Sequence, residues 1–315
     1  MGIKITVHGI PIFALLSVFT IFLLANNAYA QETSPTKYDV EITLIDIGEI
    51  NTKQGSYDLK FLLTLSSNDV DFTKMDKPPV IDFVNGDLDE AITVETLEPH
   101  KYSFEVDGEF FNDMSFHNYP FSPIDLLIKI EPEQYTAEQV QFTSTNLDRL
   151  STKYGDHVPG WILVGVDDSI QNIEDANHRT HSQYTASYHL ERPFLSNFFT
   201  KLFPIFIMVS IVIFAFIQNP KQHKMAEIGI GMFLSLVFLH AAFLGADLPP
   251  LDYLTMQDKI LIVSYVTILY ALSEEIVQQR RNKDDNTELR FKINRKMLKY
   301  LPIVMIGSAL ALLPL

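Results

Sequence analysis

EIGIGMFLSLVFLHAAFLGADLPP, residues 227–250, holds 19 consecutive positions, 228–246, without Lys, Arg, Asp or Glu. At about 1.5 Å per residue, such a run is long enough as a helix to cross a bilayer core of about 30 Å. It differs from a plain anchor in carrying a stripe. Glu227, Gly231, Ser235, Phe238, Ala242 and Gly245 are spaced 4, 4, 3, 4 and 3, so they fall on one helical face, while Ile228, Leu234, Leu236, Leu239 and Leu244 occupy the others. A small or polar stripe on a membrane helix turns from lipid towards a neighbouring helix or towards water. The stripe alone supports both readings.

The surrounding chain narrows the choice. Its 315 residues suggest about two domains, and 47% hydrophobic composition gathered into a few blocks indicates a membrane protein with a soluble part. There is no cysteine, so disulfides, thiolate metal sites and cysteine nucleophiles are excluded. The net charge of −15 is uneven: residues 31–192 hold 30 Asp and Glu against 11 Lys and Arg, or −19, leaving the rest mildly basic. An acidic domain raises the local cation concentration and repels nucleic acid; acidity that serves only solubility is the simpler reading. No GxSxG, HExxH or glycine-rich phosphate loop is present, so an enzyme has no foothold.

Residues 1–30 read as a secretory signal: Lys4, an apolar run from Ile10 to Leu24, then Ala28-Tyr29-Ala30 before Gln31. An uncleaved anchor helix is the alternative. Residues 38–192 read as β structure. Val40, Ile42 and Leu44 alternate with polar neighbours, a turn at Lys53-Gln54-Gly55 leads to 56–66, and further strands are predicted at 79–84, 91–97, 101–111, 123–131, 161–166 and 182–191. About ten short strands predict an all-β, immunoglobulin-like sandwich over 31–192. The stretch 136–150 is ambiguous. After Arg192-Pro193 come apolar blocks predicting membrane helices at about 198–217, 227–246, 257–277 and 297–315, that is, a four-helix transmembrane domain over 193–315. The loops 218–226 and 279–299 are basic and 247–256 is not, so the basic loops are predicted cytoplasmic and the sandwich outside. This predicts a multi-pass protein of the plasma membrane.

Several stretches carry a family resemblance. SFHNYPFSPIDLLIKIE (115–131) resembles the aromatic-Pro-Phe-Asp loop and strand of pentameric ligand-gated ion channel subunits, with Ser122 where the Asp is expected and Asp125 three residues on. KPPVIDFVNGDL (77–88) resembles their first binding loop. YHLERPF (188–194), with Arg192, Pro193 and then Pro204, is similar to their last strand running into a first helix. DLPPLDYLTMQDKILIVSY (247–265) resembles the linker between their second and third helices. Glu227 and His240-Ala241-Ala242-Phe243 match the spacing in bacterial proton-gated members, which also lack the cysteine pair and have a short loop such as 277–296. Glycines in the stripe and a shortened outer end depart from that pattern.

The resemblance implies a homopentameric, cation-selective channel in membrane lipid. Glu227, Gly231, Ser235, Phe238 and Ala242 would line the pore. Glu227 would select for permeant cations, or serve as a helix N-terminal acid, and Phe238 would form a hydrophobic gate. Ser235 would meet a passing ion or bond back to its own helix. His240 is a pH-sensing candidate or a neutral histidine bonded to a neighbouring helix. Glu49, Tyr119, Pro120, Phe121, Asp125, Arg192, Pro249 and Asp252 would form the gating interface, with Glu49 and Asp125 as candidate partners of Arg192. An agonist, a proton or a small amine, would meet Phe83, Tyr135, Tyr184, His178 and His181, the aromatics through cation–π attraction. Trp161 reads equally as core or cage. No metal centre or cofactor is implied. A non-conducting membrane sensor of the same architecture is the alternative.

Overall fold

The computed structural model describes residues 34–76, 79–88, 93–144, 157–217, 225–243, 248–281 and 287–312. The predicted signal, 1–30, and the ends of the second and fourth predicted helices lie outside the described residues. Eleven strands come first: β1 (Thr36–Asn51), β2 (Ser56–Ser66), β3 (Ile81–Phe83), β4 (Gly86–Leu88), β5 (Thr93–Glu98), β6 (Lys101–Phe111), β7 (Ile124–Pro132), β8 (Val140–Ser144), β9 (His157–Val158), β10 (Trp161–Glu174) and β11 (Thr180–Glu191). They make two facing sheets. One runs β4-β6-β2-β1-β8, with β5 also on β6, and the other β3-β7-β11-β10-β9. Every pairing is antiparallel except β1 with β8, where Thr36 stands opposite Val140.

Alternation explains the sandwich. Tyr38, Val40, Ile42 and Leu44 of β1, and Leu59, Phe61 and Leu63 of β2, point inward to meet Leu126, Ile128 and Ile130 of β7 and Tyr184, Ala186, Tyr188 and Leu190 of β11 in one core. Phe61 packs against Phe83 and Phe110 at centroid distances of 6.1 and 5.7 Å. The β1–β2 turn follows the sequence reading. Asn51 Oδ1 accepts from the amides of Lys53 and Gln54, and Gly55 takes φ 68° with the site of a Cβ only 2.7 Å from the Asn112 carbonyl oxygen.

A polar lock crosses this core. The buried Tyr57 hydroxyl of β2 donates to the Leu127 carbonyl at 2.8 Å and accepts from the Leu127 amide at 2.8 Å, joining the two sheets. Asn85 extends the lock, giving its side-chain amide to the carbonyls of Phe111 and Leu127 and accepting from the Lys129 amide, all at 2.9 Å. Burial holds the Tyr57 phenol above its ordinary value, so it stays a neutral donor. Tyr57→Phe takes the acceptor from the Leu127 amide, the Leu127 carbonyl keeping Asn85, and is expected to cost about 1–3 kcal/mol, read as a lower denaturation midpoint.

Helices follow. A four-residue turn (Phe194–Asn197) and a π-turn (Phe198–Leu202) lead into α1 (Phe203–Ile217); α2 (Met225–Phe243), α3 (Met256–Arg281) and α4 (Thr287–Ala311) come after. The widened turn has a local cause. Pro204 has no N–H for the carbonyl four residues back and its ring crowds that carbonyl, and the Phe203 amide bonds instead to the carbonyl of Phe198. All four helices contribute to a second apolar cluster, with Ile205 and Val212, Leu236, Leu261 and Ile268, and Leu301 at its centre. Phe194–Ala215 and Met256–Gln278 are long and apolar enough to cross a membrane, with mean hydropathy 2.3 and 1.8, and Glu227–Phe243 is a shorter apolar helix.

Two expectations need correction. The predicted loop 277–296 is mostly helix, because α3 continues to Arg281 and α4 begins at Thr287. Helical hydrogen bonding does not require apolar side chains, and Glu288 pairs with Lys292 one turn on at 2.8 Å. β10 also runs eight residues past its predicted end at 166, to Glu174.

Candidate functional site

The sandwich and the helices meet in a compact junction. Helix α3 is capped from within by Thr255 and Asp258. The Thr255 amide and hydroxyl donate to Asp258 Oδ2 at 3.0 and 2.7 Å, and the Asp258 amide donates back to Thr255 Oγ1 at 3.2 Å. The next amides of the helix are satisfied by the sandwich. Met256 N–H donates to the His117 carbonyl at 2.9 Å and Gln257 N–H to the Tyr119 carbonyl at 3.1 Å. The Tyr253 hydroxyl accepts from the Phe116 amide at 2.8 Å, and the rings of His117 and Tyr253 stack at 3.9 Å. A sheet-domain loop thereby caps a helix, so movement of one displaces hydrogen bonds of the other.

Apolar contacts run both ways across the same layer. Leu248 and Leu251 of the linker pack on the sandwich core, and Phe121 of the 115–123 loop packs on the helix cluster, its ring 4.8 Å from that of Phe194. The Tyr119–Pro120 peptide is cis. Beneath the linker lies a cavity of about 420 Å³ bounded by Tyr119, His240, Phe243, Pro249, Leu254 and Gln257. Asp252, at the tip of the linker, is exposed.

Arg192 closes the junction on its other side. Its guanidinium carbon lies 4.4 Å from the centre of the Trp161 ring and 5.7 Å from that of Tyr119, while Trp161 is itself buried in the core. Trp161 is therefore both core and a seat for a cation, which the sequence left open. Glu49 and Arg192 share the wall of a cavity of about 430 Å³ with Asn51 and Lys53. Asp125 points elsewhere. Its carboxylate takes a hydrogen bond from His189 Nδ1 at 2.7 Å.

Helix α2 has two unlike sides. Gly229 and Leu236 are buried, and a Cβ on Gly229 would fall 2.5 Å from Leu272 Cδ2 of α3, so glycine sets the closeness of that packing. Glu227, Ile230, Leu234, Val237, Phe238, Ala241 and Ala242 face outward, and Phe238 is 73% exposed. Gly231, half-buried, has open space where a Cβ would stand. The Ser235 hydroxyl bonds back to the Gly231 carbonyl at 2.9 Å. His240 Nδ1 lies 3.3 Å from the Tyr265 hydroxyl, which itself donates to the Leu236 carbonyl at 3.3 Å.

The predicted agonist residues do not gather at one surface. Phe83 and Tyr184 are core side chains, 6% and 1% exposed, because both alternate inward on their strands. The tip of the β10–β11 hairpin is polar. There Asp175 accepts from the amides of Asn177 and Arg179 and from the Arg179 guanidinium at 2.8 Å, which holds its carboxyl well below the usual range. His178, exposed and at φ 61°, pairs with Glu174, and buried His181 bonds the Tyr135 carbonyl at 3.0 Å. Among the described residues no three metal-ligating side chains converge. No family model matches the chain, and no curated protein is significantly similar to it.

Proposed function

We propose that the chain is a subunit of a homopentameric, ligand-gated, cation-selective channel, its immunoglobulin-like sandwich outside the membrane and its helices a four-helix transmembrane bundle with α2 lining the pore. The observation that carries this reading is the two-sidedness of α2. One side is buried on α1 and α3, while Glu227, Phe238 and Ala242 face outward with Ile230, Leu234 and Val237 beside them. Five copies about an axis give each part of that surface a neighbour. The apolar flank packs on the adjacent copy, and the stripe faces the ion path. In that ring Glu227 supplies five carboxylates at the first turn of the helix, where they attract cations. The capped junction at Thr255 and the Arg192 seat on Trp161 support the second half of the reading, that ligand binding in the sandwich moves the helices.

The test is electrophysiology of the expressed protein during a pH step and a small-amine screen. Cation currents are expected, and Glu227→Gln is expected to lower the cation-to-anion permeability ratio on the order of tenfold, about 1.4 kcal/mol of lost ion stabilisation. Currents carried by anions in the wild type, or none under any condition, would overturn the channel reading; the latter would leave a receptor that does not conduct.

A further inference from the structure

On the outward face of the five-stranded sheet, His189 of β11 stands between two carboxylates from the strands on either side. Its Nδ1 lies 2.7 Å from Asp125 Oδ1 of β7, and its Nε2 lies 3.1 Å from Asp167 Oδ2 of β10. A neutral imidazole has one N–H and one lone pair, so it donates to one carboxylate and turns a lone pair on the other. Two good bonds require two protons on the ring. The side chains of Asp125 and Asp167 are 52% and 67% exposed, so both contacts reach the ring from the solvent side of the sheet.

We infer that His189 is a proton-operated clasp: charged, it ties the helix-proximal ends of β7 and β10 to β11, and on losing a proton it lets go of Asp167. Three observations carry this. The Asp167 contact is the longer, and Asp167 the more exposed, of the two. The site lies three residues before Arg192, whose guanidinium rests on Trp161 at the start of β10. Slack in β10 therefore reaches the seat of the side chain that closes the junction.

The surrounding charges favour the clasped form. On the face carrying His189, β7 presents Asp125, Lys129 and Glu131, β10 presents Asp167, and β11 presents Glu191 on one side of His189 and uncharged Ser187 on the other. Glu131 is held by Gln183 at 2.7 Å, and Lys129 stands opposite Thr185, two outward positions away. Hydrogen bonding to Asp125 first, and then to Asp167, holds the imidazole above its ordinary value, against a smaller opposing effect of burial. The sign follows. Because the folded value is raised, the clasp contributes fully below the unfolded value of about 6.5, and its contribution is lost as pH rises through the folded value.

The clasp is a property of the sandwich, so its failure and that of the channel reading are separate results. The full-length protein in nanodiscs is followed by histidine NMR titration and by amide exchange of β10, corrected for intrinsic rates, on both sides of the His189 transition. His189 is expected to titrate above an ordinary histidine, and the amides of 163–168 to exchange several-fold faster above the transition than below it. His189→Gln should remove that pH step. Asp167→Asn, a substitution at an exposed position, should bring the His189 transition back towards the ordinary value and flatten the step in a folded protein. A His189 transition at or below the ordinary value, or a β10 step that survives either substitution, overturns the clasp.

Discussion

In the proposed channel, Arg192→Ala is expected to remove agonist-evoked current while leaving the proposed pentamer assembled. The strand β11 ends at Glu191, Arg192 follows, and the helices begin at Phe194 after a single proline. Any displacement of β11 reaches the helices through this point. The guanidinium fixes the point by lying over Trp161 at 4.4 Å and beside Tyr119 at 5.7 Å, and Tyr119 in turn accepts the amide of Gln257 through its carbonyl. A cation–π seat shielded from water contributes about 2 kcal/mol. Losing it from one of two gating states shifts their balance by roughly thirtyfold per subunit. The two apolar clusters of the sandwich and the helices do not include Arg192, so the fold is expected to be retained. Arg192→Lys should recover only part of the response, since an ammonium lacks the planar face that stacks on indole. The measurements are peak current at saturating agonist and oligomer size by cross-linking. Wild-type currents from Arg192→Ala would show that the sandwich drives the helices by another route.

The sequence was most legible where one face of an element is buried. Strands β1, β2, β7 and β11 alternate over most of their core-facing length because each has a core side and an outer side, and their predicted limits lie within about two residues of the observed ones. β10 breaks the rule. From Ser169 to Glu174 both of its faces are exposed, so no period marks it, and it is held by the register with β11. β8 was ambiguous because its pairing with β1 is parallel and links residues about a hundred positions apart. The helices were found by their apolar runs, and where the runs stopped the predicted helices stopped too. The charged ends of α3 and α4 were missed for that reason alone.

The site was less legible than the fold, and the reason is chemical. Much of the junction is backbone: the carbonyls of His117 and Tyr119 receive the amides of Met256 and Gln257, and a carbonyl has no letter in a sequence. One signal was present and overlooked. Thr255-x-x-Asp258 before an apolar run is a capping box, and it fixes the start of α3. Pairing by charge was misleading in another way. The resemblance offered Asp125 as a partner of Arg192, but its side chain lies on the outward face with His189, whereas Arg192 rests on Trp161 and Tyr119. Likewise Phe83 and Tyr184 were candidates for an agonist because they are aromatic. Whether an aromatic is cage or core depends on its parity along the strand, and both have inward parity.

In the proposed channel, Phe238→Ala is expected to cause leakage in the absence of agonist. Phe238 is the most exposed large side chain of α2, and it shares the outward side with Glu227 one end of the helix away and Ala242 one turn on. Five phenyl rings around one level of the proposed pore make a constriction that water does not wet, and an unwetted constriction stops ions without occluding the path. Alanine removes the rings and leaves a small methyl lining between the Ser235 and Ala242 levels, wide enough for a continuous water column. Because the ring packs in no core, its removal leaves no cavity, and stability should change by no more than about 0.5 kcal/mol. The expected readout is a standing cation conductance in unstimulated membranes, at least on the order of tenfold above wild type, which corresponds to about 1.4 kcal/mol less cost of wetting. Phe238→Leu, apolar and of similar reach, should stay closed at rest. A resting conductance equal to wild type in Phe238→Ala, with the agonist response intact, would place the gate at another level of α2.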